Sequence, residues 1–104
     1  MFAAIAGVVI VLSACTPQQN QLVSLTNNSR IASGIRPMGV NAALSIKAQR
    51  WAEHMASTGH LAHSNLANGV PHRYRSLGEN VGYGSSVGTV YGNLMRSPGH
   101  RANT

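Results

Sequence analysis

Apolar residues recur at helical spacing in three separate stretches of this chain and alternate at strand spacing almost nowhere, so its fold must find a layer to cover three helical faces. Leu22, Leu25, Ser29 and Ala32 mark the first, which Gly34 and the Arg36-Pro37 turn bring to a stop. Leu44, Ala48, Trp51, Ala52 and Met55 fall on one face of the second, with Lys47, Arg50, Glu53 and His54 mostly outside it. Asn41 is its predicted N-cap and Gly59 its stop. The third begins at Ser85 or Ser86, carries Val87, Val90, Tyr91, Leu94 and Met95, and is broken by Ser97-Pro98-Gly99. Gly88 and Gly92 each weaken it by about 1 kcal/mol relative to alanine, so packing must hold it. From Gly59 to Gly84 no helical period is present, and the residues read as a long ordered connection of the kind that often carries function.

A chain of 104 residues, 43% hydrophobic, has material for one small core and not two. With 10% charged residues, one Trp and one Phe, that core must be built from aliphatic side chains and alanine, and it is thin. Eight Lys and Arg stand against two acids, Glu53 and Glu79, for a net charge of +6, so anionic surfaces attract the chain. The cations are scattered from Arg30 to Arg101, with no run longer than His72-Arg73-Tyr74-Arg75, whereas a nucleic-acid footprint clusters on one face or helix. Nucleic acid is therefore not an expected partner; a negatively charged cell wall or lipid headgroup layer suits the charge as well.

The amino terminus reads as an address. Phe2 to Ala14 is an almost unbroken apolar or small stretch, too short to span a bilayer and of a length that suits the core of a signal peptide. It ends on the chain's one cysteine, Cys15, after which Thr16-Pro17-Gln18-Gln19-Asn20-Gln21 is polar. Leu12-Ser13-Ala14-Cys15 resembles a bacterial lipobox, in which the thiol is lipidated and becomes the new terminus; a lone cysteine agrees with an anchor rather than a disulfide partner. No Lys or Arg precedes the apolar run, which departs from the usual signal pattern. The expected organisation is a lipoprotein-type signal peptide over 1–14, a lipidated Cys15 and solvated tether over 15–21, and a folded domain over 22–104. The expected location is extracytoplasmic, at the cell membrane or envelope.

Several pieces occur in a telling order: Leu25-Thr26-Asn27 with Arg30 in the first helix, Ala48 to Met55 in the second, then His63-Ser64, Gly78-Glu79-Asn80 and Ser97-Pro98-Gly99-His100-Arg101-Ala102-Asn103. Together they resemble the bacterial branch of the CAP domain, shared by cysteine-rich secretory, antigen-five and pathogenesis-related proteins. The resemblance runs from Leu22 to Thr104, and its two specific pieces are the Gly-Glu-Asn triplet and the Ser-Pro-Gly-His-Arg-Ala-Asn stretch. It implies an α+β fold, an α-β-α sandwich of which this chain holds mostly the helical part, with much of the central antiparallel sheet missing beyond Thr104. It also implies a cleft gathering His63, Glu79 and His100, with Ser97 where other members carry a second glutamate. Two neutral imidazoles and a carboxylate are a donor set for a divalent, zinc-like ion with an open water position. Alternatively, Glu79 stands behind one imidazole and fixes its tautomer.

Plainer roles compete for each residue. His63 can merely end a turn, Glu79 can be an exposed acid paired with Arg75, and His100 can cap the third helix, where donors meet free carbonyls. His54, His60 and His72 match no motif and read as surface or packing residues, and Trp51 and Met55 as core. The expected function is a cell-envelope binding module for a lipid, wall component or protein, with a candidate divalent-metal site. The alternatives are a metal-dependent hydrolase that activates water between His63 and His100, and a small three-helix structural protein outside the CAP group. With no aspartate in the chain and Cys15 read as an anchor, neither a Ser-His-Asp order nor a thiol nucleophile can be assembled.

Overall fold

The computed structural model describes residues 4–5 and 16–104. The expected signal segment, apart from Ala4 and Ile5, and the expected lipidation site Cys15 lie outside the described residues. Among the described residues, four helices and two short strands follow in the order β1 (Ala4–Ile5), α1 (Pro17–Ala32), α2 (Ala42–Thr58), β2 (Val81–Gly82), α3 (Val87–Met95) and α4 (Pro98–Ala102). About half of this is helix and very little is strand, as in a partial α+β fold of the CAP type.

Local chemistry sets the helix ends. The α1 helix starts earlier than its apolar period: Thr16 accepts from the Gln19 amide while the Gln19 side chain reaches back to the Thr16 amide, a reciprocal capping box with proline at the first helical position. Residues 17–21, expected as a solvated tether, are therefore the opening turns of α1. Thr16 is buried, and Gln19 also donates to the Ser45 carbonyl at 2.7 Å, fastening α1 to α2. Asn41 caps α2 through the Leu44 amide, and Gly59 ends it in the left-handed region at φ 70°, which a side chain would strain. Ser86 caps α3 through the Thr89 amide. Beyond the break at Ser97-Pro98-Gly99 the chain makes one further short helix, α4, because Pro98 stands at its first turn, where the missing N–H costs nothing.

Among the described residues the core is two small clusters. Leu22 of α1 packs with Val87, Val90 and Leu94 of α3, flanked by Leu25 and Tyr91; Ala52 and Met55 of α2 pack with Val81 of β2, flanked by Trp51. Val81 and Gly82 alternate along β2, so while Val81 joins the α2 cluster, Gly82 turns to α3. A Cβ at Gly82 would sit 3.1 Å from Val90 Cγ1, so glycine is what lets the strand backbone lie against that helix. β1 pairs with β2 in parallel, Ala4 opposite Val81 and Ile5 opposite Gly82.

Candidate functional site

Leading into β2, Glu79 and Asn80 lose nearly all contact with solvent, at 5% and 1% exposure. A buried carboxylate is tolerable only if its lone pairs are met. The Glu79 Oε1 accepts from the Ser64 amide at 2.9 Å and lies 3.0 Å from His63 Nδ1, and its Oε2 accepts from the Ser64 hydroxyl at 2.6 Å. Burial pushes this carboxyl upward, but the Ser64 hydroxyl, the Ser64 amide and His63 outweigh it and hold Glu79 below the ordinary carboxylate value. Ionised, Glu79 can only accept, so the His63 Nδ1 must carry the proton and Nε2 is left as the basic nitrogen. The His63 side chain is 61% exposed and that of Glu79 1%. One residue is thus the buried support and the other the group presented to solvent. Arg75, weighed as an ion-pair partner for Glu79, is not one; His63 takes that place among the described residues.

Ser64 does more than its place in a His-Ser pair foretold. Its hydroxyl, while donating to Glu79, accepts from the Lys47 ammonium at 3.2 Å; Lys47 also donates to the Asn65 carbonyl at 2.9 Å, and the Trp51 indole donates to the Ala62 carbonyl at 2.8 Å. The loop bearing His63 is therefore held on one side by α2 and on the other by the residue preceding Asn80. Periodicity had placed Lys47 on the outside of α2, and nothing in spacing marks it as a partner for Ser64 seventeen residues on.

His100 sits on α4 with its Nδ1 2.8 Å from the hydroxyl of Ser97. Its backbone carbonyl accepts from the Asn80 amide at 2.9 Å, and Asn80 Oδ1 accepts from the Asn103 amide at 3.0 Å. The two specific motif pieces are thus bonded to each other: Asn80 clasps both ends of the His100 to Asn103 turn. His100 does not cap α3, whose closing carbonyls meet the Arg96 and Ser97 amides instead.

The structure brings His63 and Glu79 together and ties the His100 backbone to Asn80, the residue after Glu79. Among the described residues no group of three or more His, Cys, Asp or Glu side chains is placed to hold a metal ion. Both Glu79 oxygens face Ser64 and His63, which makes Glu79 a poor ligand and a good support for the imidazole. In both imidazoles the Nδ1 atom is taken up within the protein, by Glu79 at His63 and by Ser97 at His100.

Against known proteins, the model of the cysteine-rich secretory protein family (CAP) matches residues 23–104. No curated protein and no solved structure matches the chain.

Proposed function

The chain belongs to the cysteine-rich secretory protein (CAP) family, and from that premise we propose that it is a binding module of the bacterial cell envelope, carried outside the membrane on a lipidated Cys15. The observation that carries this reading is the His63–Glu79 pair: a charged support buried just before β2 holds an exposed imidazole in one tautomer and presents its other nitrogen to solvent. The unbroken start of α1 at Pro17 adds to it, because a lipid on Cys15 would stand next to the helix cap and keep the domain close to the headgroups. A recess of about 290 Å³ lined by Met55, Ala56, Gly59, His60, Leu61 and Tyr83 supplies apolar surface for a lipid or wall component. Tyr83 is 71% exposed there, as a side chain awaiting a partner would be.

A divalent ion such as zinc would be held by His63 and His100 through Nε2, with Glu79 raising the basicity of His63 from behind. When bound, it would supply a positive centre for an anionic or carbonyl-bearing ligand. Calorimetric titration of the full chain with zinc tests this part. One ion per chain is expected, with affinity reduced at least about tenfold in His63→Ala, as removal of a direct ligand demands. Equal binding by His63→Ala would overturn the assignment, and the absence of zinc binding would overturn the metal altogether.

A further inference from the structure

On the far side of α2 from its packed face lies a groove of about 380 Å³, walled by the helix and by the loop around Asn68 and Gly69. Lys47, Arg50, Trp51 and His54 line it, and neither of the two acids of the chain does. Two of these side chains are held in place by the loop: Lys47 by Ser64 and Asn65, and Trp51 by the Ala62 carbonyl. Trp51 is further braced by His54, whose ring stacks on it at 4.8 Å between centroids and 27° between planes. Arg50 is exposed, and its guanidinium has no partner among the described residues. Lys47 spends two of its three N–H groups on the loop and keeps one.

A fixed aromatic platform, an unpartnered guanidinium, an ammonium with one N–H to spare and an amide at Asn68 form a set with a specific complement. We propose that this groove binds an acidic sugar, a pyranose bearing a carboxylate, as one unit of an anionic wall polysaccharide. The carboxylate pairs with Arg50 in the two-pronged geometry that guanidinium favours, with Lys47 adding charge from the side. The C–H face of the ring lies on the Trp51–His54 surface, and Asn68 serves its hydroxyls. A nucleic-acid strand is the weaker fit, since successive bases need successive aromatic platforms along a basic track, and this groove offers one. The proposal rests on the reading of the chain as an envelope binding module, and it is independent of any metal at His63.

Trp51 is the single tryptophan of the chain, so its emission reports the groove directly. The full chain is titrated with trigalacturonic acid, with the methyl ester of the same trisaccharide, and with a short oligothymidylate, each with and without EDTA. A saturable change in Trp51 emission is expected with the acid, unaltered by EDTA, and binding of the neutral ester at least about tenfold weaker. Arg50→Gln, at a position with no structural bond to lose, should keep the far-UV spectrum and weaken the acid by at least about tenfold. No saturable response, equal binding of the ester, tighter binding of the oligothymidylate, or an unchanged Arg50→Gln would each overturn the proposal. Zinc titration of His63→Ala reads the other site, so failure there and failure here are distinguishable.

Discussion

Glu79 illustrates how the partners of a single side chain make its burial tolerable. Its carboxylate is stabilised in the ionised form only because Ser64 supplies an amide and a hydroxyl and His63 an imidazole N–H. The folded value is depressed, so the stability it contributes is complete above the ordinary value of 4.5 and is lost as pH falls through the lower folded value. Urea midpoints measured between neutral and acidic pH should therefore fall below that ordinary value for the native chain. In Glu79→Gln the drop should be much shallower, and at neutral pH the variant should be less stable by about 1–3 kcal/mol, because an amide cannot replace both acceptor oxygens. Identical acid profiles for the two chains would deny Glu79 this role. The residue was legible in the sequence as one of two acids and as part of a triplet; its inward orientation was not, because an exposed acid and a buried support look alike in one dimension.

Among elements, the most informative contact is the one between the segment leading into β2 and the α4 turn. Asn80 presents its Nδ2 to the His100 carbonyl and its Oδ1 to the Asn103 amide, so its two ends have opposite requirements. Asn80→Asp would set an oxygen against the His100 carbonyl and place a charge where 1% of the residue is exposed. It is expected to cost about 3 kcal/mol or more, and Asn80→Ala about 1–3 kcal/mol for the partners left unpaired. Thermal midpoints rank the two; equal loss would mean that volume, not hydrogen bonding, matters at this position. The existence of α1, α2 and α3, the cap at Asn41, the α3 start at Ser85 or Ser86 and the stop at Gly59 were readable locally because they depend on neighbours within one turn. The α1 start was missed because Thr16 and Gln19 cap through polar bonds that carry no apolar period, although their spacing is a capping-box signal.

For the molecule as a whole, the division of the core governs behaviour. The α1–α3 cluster is built from Leu22, Val87, Val90 and Leu94, the α2–β2 cluster from only Ala52, Met55 and Val81, while Ile31, Ile35, Val40, Ile46 and Leu61 are exposed. With less apolar area to lose, the α2 side should open first. Heating the full chain should change Trp51 emission, which reports the smaller cluster, at a lower temperature than far-UV circular dichroism. A single transition coinciding in both probes would show one cooperative core instead. From its sequence alone this protein has its three longer helices, the cap at Asn41 and the stop at Gly59, its excess of positive charge and the motif pieces that mark its family, since each depends on residue type or on neighbours close along the chain. Only the tertiary structure decided that Glu79 faces inward beneath His63, that Lys47 reaches Ser64, that Asn80, just before β2, holds the His100 to Asn103 turn, and that Lys47, Arg50 and Trp51 share one groove with Asn68. Those contacts join distant elements, and helical spacing records which residues share a face but not which face meets which.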